Sequence, residues 1–209
     1  CKNIVFLPNF LTSKVVETKL TILKGVEAKR IVCLANLREP KNHLKLLLAF
    51  NQSEAIQQGW TLHLIGKDNK DEYSNDLKNF IQKNNLGEKV FLYGSCTDIN
   101  SILKQANVGI LVSTYEGFPV TLLEYGMANL GVVTTEVGYC STLVENEITG
   151  LIVNPNSVNQ ISDKIDKIAL DMYFRNDLST KFNTFVSENY SANTIIDLIL
   201  PFYANKIEK

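Results

Sequence analysis

Six short apolar runs, near residues 30–35, 60–65, 90–93, 108–112, 131–134 and 150–153, alternate along this chain with stretches of helical periodicity. That alternation is the strongest constraint on its fold. Strands this apolar need cover on both faces, and helix-length connections supply the cover when the strands run parallel. The predicted helices lie near 42–57, 73–84, 99–105, 119–127 and 140–146, and two more, 158–188 (broken) and 193–206, close the chain. In the first of them Leu44, Leu47, Leu48 and Phe50 are expected to face inward. The expectation is an α/β fold, a Rossmann-like doubly wound parallel sheet of about six strands, filling nearly everything after residue 29.

Bulk properties exclude several function classes. A net charge of −1 provides no general attraction to nucleic acid or to an anionic membrane. No apolar run approaches the ~20 residues of a membrane span. The four cysteines, Cys1, Cys33, Cys96 and Cys140, show no metal or disulfide spacing, and Cys33 reads as a reduced core residue. The chain opens Cys-Lys-Asn-Ile-Val-Phe-Leu-Pro-Asn with no initiator methionine, so it is expected to be a piece of a longer protein, beginning near a domain linker. The expected division is a linker over 1–29, a ligand-binding domain over 30–188 and a C-terminal helix over 189–209.

In doubly wound sheets ligands bind at the carboxyl edge, where the loops 36–41, 66–68, 94–97 and 113–117 fall. Glu124 is the only charged residue between Gly117 and Thr135. A carboxylate in so apolar a run costs several kcal/mol, roughly, unless something hydrogen-bonds it. Glu116 stands eight residues earlier, so the two acids bracket a turn and a helix start. Pro119 suits the first helical turn, and Gly117 allows close backbone approach or a positive φ. Free amides there make a phosphate site, or simply an unliganded helix N-terminus. Arg38 and Lys41 share the loop after the first strand, either as a diphosphate clamp or as a solvated turn. His43 reads as a first-turn helix residue or as a phosphate donor.

The ordered set of motifs is more specific than any one of them. The segment 116–124, Glu-Gly-Phe-Pro-Val-Thr-Leu-Leu-Glu, resembles the Glu-x7-Glu element of family 4 retaining glycosyltransferases, which have the GT-B fold. Asn36-Leu37-Arg38-Glu39-Pro40-Lys41-Asn42 is similar to their first-strand loop, which usually carries Gly-Arg and then Lys-Gly. Leu64-Ile65-Gly66, the run 90–94 and the run 143–153 follow the family in order, and 4–9 resembles the Pro-Asn stretch linking the two GT-B domains. The resemblance covers roughly 4–165, the C-terminal, donor-binding half of a GT-B fold. Asn36 stands where the family has Arg, and Asn42 where it has Gly, so Arg38 is the candidate to supply the missing cation.

This resemblance implies a glycosyltransferase binding a nucleotide-diphosphate sugar and transferring the sugar with retention to a glycan or lipid-linked acceptor. The implied catalytic residues are Glu116, which orients the sugar, with Lys41 and Arg38 on the diphosphate. The implied donor-binding residues are Asn36, Tyr93, Gly94, Ser95, Gly117, Phe118, Pro119, Val120, Thr121 and Glu124, with Glu124 on the ribose and 93–95 bordering the base. No metal or other cofactor is implied, and no nucleic acid. The acceptor site belongs to an N-terminal domain, toward which the last helix would cross, and the chain alone is expected to be inactive. Family precedent puts such a parent protein in the cytoplasm, with peripheral association at the inner membrane face. The same architecture also serves nucleotide-sugar epimerases and phosphorylases, and a non-catalytic nucleotide-binding module is the reading from another class.

Overall fold

A computed structural model describes residues 8–10 and 20–207, with side chains to Pro201. Within the resemblance's first motif, 4–7 lie outside the described residues, as do the side chains of Phe202 and Tyr203. Six strands, β1 (Arg30–Leu34), β2 (Thr61–Ile65), β3 (Val90–Gly94), β4 (Val108–Leu111), β5 (Gly131–Thr135) and β6 (Leu151–Val153), form one sheet in the order β3-β2-β1-β4-β5-β6. Every pairing is parallel. The helices are α1 (His43–Gln52), α2 (Glu54–Gln57), α3 (Glu72–Lys83), α4 (Ile99–Leu103), α5 (Val120–Met127), α6 (Cys140–Leu143), α7 (Val158–Leu170), α8 (Met172–Asn189) and α9 (Ala192–Ile207). The expected fold class is the observed one. β2, β4 and β5 are buried along their whole length, as the continuous apolar runs require.

The chain winds outward from β1 to β3, then returns to build β4 to β6 on the other side. Strand order therefore reverses between β1 and β4, which is where a doubly wound sheet opens its ligand crevice. Here β1 and β4 pair at only two positions, Ile31 with Val108 and Val32 with Gly109, against five for β1 and β2. Beyond them the fully buried Tyr125 of α5 takes the place of the ladder. Its hydroxyl accepts from the Leu34 amide at 2.7 Å and lies 3.4 and 3.3 Å from the Val32 and Ile110 carbonyls.

Two helix expectations need correction. The stretch 42–57 is two helices, broken at Ser53, whose backbone is extended (φ −71°, ψ 152°). The cause is tertiary: the Asp166 carboxylate on α7 accepts from the Glu54 and Ala55 amides at 2.9 and 2.8 Å and starts α2 afresh. Leu44 and Leu48 face outward, each 38% exposed, while His43, Leu46, Leu47 and Phe50 form the buried stripe. Asn42 adopts the left-handed conformation (φ 60°) before the helix, which fixes its phase. The predicted helix 140–146 also stops at Leu143. The break expected within 158–188 falls at Asp171, which caps α8 through Phe174 N.

Both histidines are buried, and burial pushes each down to about 4. For His43 the Ala35 carbonyl pulls the other way and the Lys41 charge adds to the depression; for His63 the Arg30 charge adds. His63 bridges the Thr61 hydroxyl and the Tyr93 phenol at 2.9 and 3.0 Å. Because the folded values lie below the ordinary 6.5, the unfolded chain takes up protons first as pH falls. Stability is then full above about pH 6.5 and falls toward pH 4, by up to roughly 3 kcal/mol for each histidine. Urea midpoints measured at pH 7.5, 6, 5 and 4.5 should decline across that window, and a flat profile contradicts the assignment.

Candidate functional site

The crevice between β1 and β4 gathers the carboxyl-edge loops. After β1 the chain makes a 3-10 turn, Glu39–Lys41, then Asn42. The Asn42 amide side chain donates to the Val112 carbonyl at 3.0 Å and to Pro155 at 2.8 Å, and the Thr114 amide donates to the Pro40 carbonyl at 2.9 Å. Asparagine thus serves where the resembled family has glycine, since it tolerates the left-handed backbone and adds two hydrogen bonds.

Lys41 and Glu116, 75 residues apart in sequence, meet across this crevice at 2.5 Å. Both side chains are largely covered, 15% and 9% exposed. The Ser113 hydroxyl donates to the same carboxylate oxygen, Oε1, at 2.6 Å. The backbone beside Glu116 is held as well. Gly138, in the turn after β5 at φ 56°, packs so closely that a Cβ there would sit inside the Glu116 carbonyl. Next to it, the Tyr139 amide donates to the Gly117 carbonyl at 3.1 Å.

α5 begins beside this cluster. Pro119 is its N-cap residue (φ −82°, ψ 86°) rather than its first helical residue, and no side chain caps the end. Gly117 is not in the positive-φ region; a Cβ there would meet open space, so what the glycine leaves is room. The Val120 amide turns back to Phe118 and that of Leu122 to Pro119. The amides of Gly117, Phe118 and Thr121 find no acceptor among the described residues. Such a helix start carries unsatisfied donors and a positive dipole end, both suited to a phosphate. One turn further in, Glu124 is half-buried, and desolvation raises its pKa. It has no salt bridge or hydrogen-bond partner among the described residues.

The other sequence candidates divide. Arg38 is exposed and joins no ion pair among the described residues. Asn36 does not project freely: its Oδ1 accepts from the Lys67 amide at 2.8 Å, tying the loops after β1 and β2. Thr121 donates its hydroxyl to the Leu34 carbonyl at 3.2 Å, leaving its amide as the available group. Phe118 packs against Tyr139 and Tyr190, with ring centroids 5.1 and 6.0 Å away. Tyr93 does not turn its phenol to the crevice; the hydroxyl is taken by His63 and by the Lys24 amide at 3.0 Å. What 93–95 can still offer a ligand is its backbone and the exposed Ser95, with Gly94 at φ 70°.

The sequence pattern of the family described as Glycosyl transferases group 1 matches residues 19–184. The chain belongs to this family. Among curated relatives, the UDP-Gal:alpha-D-GlcNAc-diphosphoundecaprenol alpha-1,3-galactosyltransferase of Escherichia coli is 27% identical over 137 residues, which are 62% of this chain and 35% of that protein. Among solved structures, Anabaena HepE in complex with UDP and glucose superposes with a TM-score of 0.78 at 19% identity, over 85% of this chain and 48% of that one. The C-terminal domain of a group 1 glycosyl transferase from Francisella tularensis matches with a TM-score of 0.72 at 22% identity, over 78% of this chain and 86% of that domain. This group 1 chain thus spans about a third of the curated relatives it matches and about half of the longer structures.

Ser113, Gly138 and Tyr139 are features of this crevice that sequence reasoning did not single out. Each matters through a contact with 116–117: Ser113 from three residues earlier in the loop after β4, Gly138 and Tyr139 from the turn after β5, which the pairing of β4 with β5 brings alongside. Among the described residues no helix is long and apolar enough to cross a membrane.

Proposed function

We propose that this domain binds a uridine-diphosphate sugar and that the parent protein is a retaining, family 4 hexosyltransferase acting on a glycan or lipid-linked acceptor. One observation carries the reading. An unpartnered, partly desolvated carboxylate and unsatisfied helix amides share one crevice with a lysine–glutamate pair, and that set matches ribose, diphosphate and sugar in turn. Relatives and neighbours named for UDP-Gal, or solved with UDP, support the choice of base.

In this reading Glu124 accepts from the ribose hydroxyls, and the amides of Gly117, Phe118 and Thr121 hold the diphosphate with Lys41 and the exposed Arg38. As the glycosidic C–O bond breaks, negative charge grows on the leaving diphosphate. Fixed donors stabilise that charge more than the ground state, which is the source of rate. Lys41 and Arg38 take the place a divalent metal would otherwise fill. The leaving phosphate helps deprotonate the acceptor, which is bound by a further domain reached by α9. The parent protein acts in the cytoplasm, at the inner membrane face, a reading supported by a relative named for a diphosphoundecaprenol-linked substrate. Membership of a glycosyl transferase family supports this reading over an epimerase, a phosphorylase or a binding module.

A thermal-shift panel of UDP-, GDP- and ADP-sugars tests the proposal. A UDP-sugar at a hundred times its Kd should stabilise the domain by about 2.7 kcal/mol, while the other two classes do so weakly. No shift with any of them sinks the reading.

A further inference from the structure

Glu116 Oε1 receives two donors, Lys41 Nζ and Ser113 Oγ, at 2.5 and 2.6 Å, while Oε2 has no partner among the described residues. An asymmetric clamp of this kind sets the rotation of the carboxylate, because both donors converge on one oxygen and leave the other as the only acceptor to offer. The two donors differ in how firmly they are held. Lys41 is a long side chain with four rotatable bonds at the mouth of the crevice, and a diphosphate would compete for its charge. Ser113 has one side-chain torsion and is completely buried in the loop just after β4. Its own carbonyl accepts from the buried Thr135 hydroxyl of β5 at 2.7 Å, so its backbone is pinned to the neighbouring strand.

We infer that Ser113 is a positioning residue: it holds Glu116 Oε1 so that Oε2 stays aimed at the hydroxyls of the donor's sugar when Lys41 transfers its hydrogen bond to the diphosphate. This inference rests on the donor-site reading above and adds to it a residue that touches no ligand. It separates the site into two parts. Nucleotide affinity comes from α5 and Glu124, whereas the added affinity for the sugar depends on the Ser113–Glu116 hydrogen bond. Ser113 should therefore govern discrimination between a UDP-sugar and UDP, with no effect on UDP itself.

The test is titration calorimetry on this chain with UDP and with UDP-glucose, UDP-galactose and UDP-N-acetylglucosamine, comparing wild type, Ser113→Ala and Ser113→Cys. Ser113→Ala should leave the UDP Kd within about twofold and weaken the best UDP-sugar about tenfold, the worth of one hydrogen bond to a charged group. Ser113→Cys keeps a weak donor in nearly the same volume, so its UDP-sugar Kd should fall between the two. Melting curves accompany each titration; if the alanine variant does not fold, the cysteine variant decides alone. Equal weakening of UDP and UDP-sugar, or no change in either, overturns the inference while leaving the donor site standing. A wild-type chain that binds neither ligand removes the donor reading and this inference with it.

Discussion

Glu124→Ala should make the domain more stable and a poorer nucleotide binder at the same time. In the folded chain this carboxylate is half-buried on α5, raised in pKa by desolvation and matched by no donor among the described residues. Removing it relieves a desolvated charge and places a good helix former in the middle of a helix. A gain of about 1 kcal/mol would raise Tm by roughly 2–4 °C for a chain of this size. UDP affinity should fall at least about tenfold, because two ribose hydroxyls lose a charged acceptor. The pH dependence has a definite sign. A carboxyl whose folded pKa is raised disfavours the fold once it ionises, so the stability gap between variant and wild type should be present at pH 7. It should close as pH falls below the ordinary carboxylate range. Differential scanning calorimetry and titration with UDP measure both effects, and a variant that melts lower with unchanged affinity contradicts the ribose role.

Gly138→Ala is expected to have one of the largest effects of any single methyl group in this domain. The backbone there is left-handed, which alone costs an alanine about 1 kcal/mol, and the added carbon collides with main chain rather than with a side chain that could swing aside. The turn must move away from Glu116, and the Tyr139–Gly117 hydrogen bond moves with it. Destabilisation of roughly 2–4 kcal/mol should accompany weaker UDP-sugar binding, on the order of tenfold for each hydrogen bond to a charged group that the displaced turn breaks. Gly87→Ala, in the turn between α3 and β3, is the control, because a Cβ at that position meets open space. Wild-type melting and binding in the Gly138 variant would show that this turn plays no part in the site.

How much of this was legible beforehand depends on the range of the interaction. The parallel sheet could be read because each strand is a continuous apolar run, a local property. Glu124 stood out for a local reason too, as a lone charge in a long neutral stretch. The Ser53 break was invisible because the Asp166 carboxylate that caps the next helix lies 112 residues away. The phase of α1 was misjudged because a left-handed Asn42 sets it, and an asparagine is no sign of that conformation by itself. Tyr93 lies in a strand whose expected place was correct, yet its phenol points to His63 and the segment before β1. Gly138 could be found only once β4 and β5 were known neighbours, whereas Ser113 lies three residues from Glu116 and needed only the conformation of their shared loop.

The phenol of Tyr125 has a wider consequence. Since one oxygen stands in for several rungs between β1 and β4, the sheet behaves as two half-sheets zipped for two residues and then wedged apart by a rigid ring. The notch above that wedge is cut during folding. An arriving guest need not prise strands asunder, so little ordering is left to oppose its entry.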